Sequence, residues 1–141
     1  MKKYINDKLS ELKRHYNAKD SLITYCGNDL KHQWQKDYKE VTDLWKSIVN
    51  INDVEKYFCE YENSVNRYID SKSCVDYYYY VNLSLYKLTY SIEKMATCYD
   101  NDRCDFHFNN MAEIDELFEK LYKQISIMQD ETLRRSIVGD Y

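Results

Sequence analysis

Proline is absent from the 141-residue chain, and glycine occurs only twice, at Gly27 and Gly139. Turn-rich sandwiches, barrels, dinucleotide-binding folds and phosphate-cradling loops all place glycine at strained backbone positions, so this scarcity argues against each of them. Long apolar runs are missing too: the longest uncharged stretch, near 77–86, is about half of the roughly 20 residues that a membrane span needs. The N-terminus, MKKYINDKLSELKR, is charged throughout and lacks the apolar segment of a secretory signal, and the C-terminal RRSIVGDY carries no lipidation box. Neither sign of charge dominates. The 24 acidic and 20 basic side chains give a net charge of −4, without the basic excess of a typical nucleic-acid binder.

What is present points to a folded protein. Hydrophobic residues make up 44% and charged residues 31%, outside the range of disordered chains. A chain of this length is one domain and buries roughly two thirds of its unfolded surface. The 16 tyrosines, with abundant asparagine and lysine, match the coding bias of an AT-rich genome. Tyrosine enrichment also marks binding surfaces, but the coding bias explains the asparagines and lysines as well.

Helical spacing recurs along the chain, and no segment alternates as a half-buried strand does. Met111, Ile114, Leu117, Phe118, Leu121, Tyr122, Ile125 and Met128 fall three and four apart, with Asp115, Glu116, Glu119, Lys120 and Lys123 between them. Asn110 and Glu113 stand at capping-box spacing before this run, and Gly139 sits where a helix would end. Leu30, Trp34, Tyr38, Val41, Leu44, Trp45 and Ile48 form a second stripe, preceded by the Gly27-Asn28 break. Val54, Tyr57, Phe58, Tyr61, Val65, Tyr68 and Ile69 form a third, with Asn52 and Glu55 as its capping pair.

Between Cys74 and Cys98 the segment DYYYYVNLSLYKLTY is apolar or aromatic nearly all round. Such a helix belongs in the middle of a bundle. A buried strand is the competing reading, since tyrosine favours strands, but the pattern continues to Ile92 and Met95 without a turn signal. Tyr4, Ile5, Leu9, Leu12 and Tyr16 mark a weaker N-terminal helix. The expectation is an all-α, single-domain bundle of four to five helices over 1–141, at about 2–18, 29–49, 53–69, 74–98 and 111–135, with a loop at 99–110. Trp34, Trp45 and Phe58 are expected core anchors, each costing about 3–5 kcal/mol if truncated to alanine.

Chemistry is sparse. The five cysteines lie at 26, 59, 74, 98 and 104, an odd number that cannot all pair within the chain. In a reducing compartment they are buried thiols. In an oxidising one, Cys98 with Cys104 can close the CYDNDRC loop, and Cys59 with Cys74 can bridge the connection between two helices. Cys98, Cys104 and His107 also invite a zinc reading, but C-x5-C-x2-H lacks the two close pairs of a structural site, and no metal or cofactor is expected. His15 and His32 are isolated. Glu60, Glu62, Asp115 and Glu116 read as solvated helix faces, and Arg134-Arg135 is too small for a basic patch. Asn82-Leu83-Ser84 is a glycosylation sequon by form, inside the most apolar helix. No local signature of a nucleophile with its base appears, so an enzyme is not expected.

Two stretches, about half the chain, resemble a known family. They are FCEYENSVNRYIDSKSCVDYYYYVNLSLYKL and CDFHFNNMAEIDELFEKLYKQI. They resemble the Plasmodium interspersed repeat (PIR, or Vir) variant antigens. Cys59 and Cys74 take the places of that family's first two cysteines in the region, and YYYYVNLSLYKL that of its aromatic-rich helix. Cys104, Phe106 and Phe108 resemble its C-x-F-x-F segment, and Glu116–Tyr122 its K-x-L-Y-D-Y helix. The family's tryptophan after Asn-Tyr, its C-terminal transmembrane segment and its basic tail are not in this sequence, so a truncated member or ectodomain fragment is expected.

The resemblance implies a non-enzymatic surface antigen or host-interaction module. It would be exported to the infected erythrocyte or its surface, act in antigenic variation and immune evasion, and meet a host protein or antibody. The alternative is a helical adaptor or host-modulating effector, such as a virus-like bundle, that binds a partner helix, in which case the location is cytoplasmic. Neither reading includes a nucleic-acid partner or a membrane span in this chain.

Overall fold

A computed structural model describes residues 2–16, 36–37, 39–41, 43, 51–71, 75–98 and 111–138. The protein is all-α. Its main elements are α1 (Lys2–His15), α2 (Ile51–Asp70), α3 (Val75–Cys98) and α4 (Met111–Val138). The described positions at 36–43 are helical as well.

The stripes read from the sequence become one core. Ile5, Leu9 and Leu12 of α1, Val54, Phe58, Tyr61 and Val65 of α2, and Ile114, Phe118, Leu121, Ile125 and Met128 of α4 converge on Val81, Leu85, Leu88, Ile92 and Met95 of α3. The principal packing runs in a ring, α1 to α3 to α2 to α4 and back to α1, with α2–α3 the most extensive interface. Helix direction follows from side-chain contacts. Tyr4 and Lys8, early in α1, meet Asp115, early in α4, so these two run parallel. Tyr68 at the end of α2 touches Tyr78 at the start of α3, ring centroids 5.6 Å apart, so that pair is antiparallel.

α3 has almost no solvent face. Four consecutive tyrosines did not make it a strand, because burial against several helices outweighs a local propensity worth about 1 kcal/mol. Ser84, Ser91 and Asn82 are buried with it, and its own backbone accepts from each of them. Ser84 Oγ donates to the Val81 carbonyl at 3.0 Å, Ser91 Oγ to Leu88 at 2.6 Å and Asn82 Nδ2 to Tyr78 at 2.8 Å. Backbone carbonyls of the preceding turn are the standing acceptors for such groups.

Several boundaries and positions differ from expectation. α1 is helical to His15, and Tyr16 is not helical, short of the expected end at 18. α2 already includes Ile51 and Asn52, so Asn52 stands in the first turn and is not its N-cap. α4 runs on to Val138. Met111 is exposed, because it precedes the first turn that reaches the core. Phe58 is buried as expected. Trp34 and Trp45, the break at Gly27, the caps at Asn110 and Gly139, and the 99–110 loop lie outside the described residues.

Tyr61 is fully buried, yet its hydroxyl has no hydrogen-bond partner. Burial pushes its phenol well above the ordinary tyrosine range. An unpaired buried hydroxyl costs about 1–3 kcal/mol. Tyr61→Phe is therefore expected to leave thermal stability unchanged or raise it, while Phe118→Ala, which removes a buried ring from α4, lowers it by about 3–5 kcal/mol. Urea unfolding of the two variants measures both.

Candidate functional site

Two features of the structure carry polar chemistry into the interior. The first is a corner where the ends of α2 and α4 meet the start of α3. Arg135, in the last turns of α4, is almost wholly buried. Its guanidinium donates to the backbone carbonyls of Tyr68, Ile69 (3.3 Å) and Ser71 (2.7 Å), at the point where α2 ends. It also donates to Ser71 Oγ at 3.2 Å and lies over the Tyr68 ring, 4.2 Å from its centroid. The last carbonyls of a helix have no partners within it and carry its negative dipole end. Arg135 thus caps α2 from another helix.

Glu131, one turn back on α4, accepts from Arg135 Nε at 3.0 Å and from Arg134 at 2.7 and 3.1 Å. The hydrogen bonds from Arg134 and then Arg135 hold its carboxyl at about 2, well below the usual range. Tyr68 completes the corner, its hydroxyl 3.0 Å from Thr132 Oγ1. The Arg134-Arg135 pair is therefore no surface patch: one arginine is exposed and its neighbour is structural. Only the Glu131–Arg135 spacing of one turn hinted at this in the sequence.

The second feature is a separate apolar patch on α3. Tyr79 and Leu83 bury Val41 of the helical segment at 36–43, with Tyr86 and Tyr90 half-buried beside them. The Tyr79 hydroxyl donates to the Asp37 carboxylate, itself 8% exposed. Val41 was expected on an apolar face; the role of Asp37 one turn before it was not read, because its partner is distant in sequence. Nearby, the Tyr16 hydroxyl donates to Asn82 Oδ1.

Asp115 is half-exposed on the face expected to be solvated, and it has partners there. It accepts from the Tyr4 hydroxyl and pairs with Lys8 at 3.2 Å, and these partners, Tyr4 first, lower its pKa. Glu116 is exposed and pairs with Lys120 at 3.2 Å. Glu60 and Glu62 are half-exposed on α2. His15 is exposed, edge-on to Tyr122.

Cys59 is a free thiol on the exposed side of α2. Cys98 is the last residue of α3. The side chain of Cys98, together with Cys26, Cys74, Cys104, His32 and His107, lies outside the described residues, and so do the Cys98–Cys104 disulfide and the zinc cluster considered for them; of the Cys59–Cys74 pair only Cys59 is described. Among the described residues, no group of three or more His, Cys, Asp or Glu side chains could hold a metal ion, and no helix is long and apolar enough to cross a membrane. Asn82 of the sequon is fully buried, out of reach of any modifying enzyme in the folded protein.

No protein-family model, curated protein or solved structure matches the chain. The variant-antigen vocabulary drawn from the resemblance, with its malarial antigenic variation and immune evasion, has no support from these comparisons and is withdrawn. The cysteine and aromatic motifs behind it are degenerate in so tyrosine-rich a composition.

Arg135→Ala is expected to lower stability by about 3–5 kcal/mol, because it strands the buried carbonyls at the end of α2. Arg135→Lys recovers less than half of this, since one ammonium cannot span the fork. Glu131 has a depressed folded-state pKa, so its contribution is full above about 4.5 and is lost as the pH falls towards 2. The urea midpoint should drop across that window, and drop less in Glu131→Gln.

Proposed function

We propose that this chain is a non-enzymatic interaction module that receives an amphipathic helix of a partner protein on the tyrosine face of α3. The observation that carries this reading is a second cluster on α3, in which Tyr79 and Leu83, with half-buried Tyr86 and Tyr90 beside them, lie against Val41 and not within the main core. The main core gathers α1, α2, α3 and α4 without Tyr79, Leu83 or Tyr90, and yet α3 carries this additional apolar face. A face of aromatic and aliphatic side chains at successive helical turns matches the i, i+3, i+4, i+7 anchors of a helix lying in a groove. Tyrosine suits such a surface, since it supplies large contact area with few rotatable bonds and a hydroxyl for orientation.

The other polar constellations support structural roles. The Arg135 corner spends its donors on backbone carbonyls, and the Tyr4–Lys8–Asp115 group ties α1 to α4. Neither leaves a group directed at an external ligand.

The test is tyrosine-selective 13C NMR of the intact chain, titrated with a synthetic amphipathic helix bearing leucines at i, i+3, i+4 and i+7. Saturable shifts are expected at Tyr79, Tyr86 and Tyr90, with the core rings of Tyr57 and Tyr61 unmoved. Tyr90→Glu, at the half-buried rim, should weaken the binding about tenfold or more. Absence of shifts, or shifts that ignore the rim substitution, would overturn the reading.

A further inference from the structure

We infer that the helical segment at 36–43 is a self-ligand: it occupies the acceptor face of α3 in place of the partner and displays the partner's recognition pattern, an acidic residue followed one turn later by an aliphatic one. The inference rests on the proposed role of that face and specifies both its occupant and its regulation.

Three observations support it. The segment is one-sided. Asp37 and Val41 are buried, whereas Lys36, Lys39, Glu40 and Asp43 are exposed. Positions 37 and 41 are one helical turn apart, so they anchor one line of contact. Next, the anchors are chemically matched to the face. Val41 lies against Tyr79 and Leu83, and the Asp37 carboxylate accepts the Tyr79 hydroxyl. A carboxylate is buried at tolerable cost only where donors await it, so this hydroxyl selects for an acid at that position. Finally, the patch is distinct from the main core. Val41, Tyr79 and Leu83 form their own cluster, and half-buried Tyr86 borders both. The main core that joins α1, α2, α3 and α4 includes neither Asp37 nor Val41.

A face filled in this way is available to a partner only in the fraction of molecules whose segment has lifted. The apparent affinity falls by that fraction, and weakening the segment restores it. The partner predicted by this geometry is an amphipathic helix with Asp or Glu at one anchor and Val, Ile or Leu four residues on, competing directly with residues 36–43.

A labelled peptide with the sequence of residues 33–47 tests this by fluorescence anisotropy against two full-length chains. One is unsubstituted; the other carries Asp37→Ala and Val41→Ala, which weaken the segment and leave the α3 face intact. The substituted chain is expected to bind the peptide at least about tenfold more tightly. A peptide carrying the same two substitutions should bind neither chain.

Equal affinity for both chains, or equal binding of both peptides, would overturn the inference. So would a substituted chain that loses its helical circular dichroism, since the segment would then be integral to the bundle. If the leucine-bearing helix still shifts Tyr79, Tyr86 and Tyr90 while the substituted chain shows no gain, the self-ligand inference fails and the acceptor face stands. If neither peptide nor helix binds, both fall.

Discussion

The enclosure of most of α3 is the constraint from which the rest of the architecture follows. Polar groups on its buried faces cannot be left to water, so each must be answered inside the protein. Its buried serines and Thr89 turn back onto carbonyls of the preceding turn, Ser84 to Val81, Thr89 to Tyr86 and Ser91 to Leu88. Asn82 uses both ends of its amide, one for its own helix and one for Tyr16 of the α1 terminus. Enclosure also needs several neighbours. α1 and α2 cover the sides that build the main core, and the helical segment at 36–43 covers part of the remainder. The large tyrosine content fits this demand, since each ring fills volume while its hydroxyl reaches towards a polar group at the boundary.

The Arg135 corner solves a related problem at the end of the ring. α2 terminates where α3 begins, and its last carbonyls are turned into a crowded junction. A guanidinium has donors enough to meet several of them together with Ser71 and Glu131, and its flat face rests on Tyr68. Lysine would supply one compact charge at that place. The cost of enclosing the cation is offset by this saturation of its donors and by the dipole end on which it sits. Exposed pairs such as Lys13–Glu93, 3.7 Å apart, contribute little by comparison.

The fold was legible because periodicity records which side of a helix faces inward. The stripes on α2 and α4 reappear residue by residue in the core, from Val54 to Tyr68 and from Ile114 to Met128. The candidate site was much less legible. Asp37 and Tyr79, Tyr4 and Asp115, and Arg135 and Tyr68 are remote in sequence, and each is an ordinary polar residue until folding supplies its partner. Asp115 is a surface charge whose partners on α1 do not show in the sequence. Helix ends were also misjudged, as at Asn52, because a capping pattern can occur one turn inside a helix that tertiary packing extends. The family resemblance rests on features of low specificity: tyrosines, asparagines and scattered cysteines recur by composition, and their order alone constrains little.

The burial of Asn82 reaches beyond packing. The Asn-Leu-Ser triplet is acceptable to an oligosaccharyltransferase only as extended nascent chain, before α3 has formed. A sugar attached at that moment would have to be accommodated in the dry centre of the molecule, where its side-chain amide already bridges Tyr78 and Tyr16. Carbohydrate at this asparagine and the folded architecture are therefore mutually exclusive fates of the same polypeptide, chosen during synthesis by whichever process reaches the residue first.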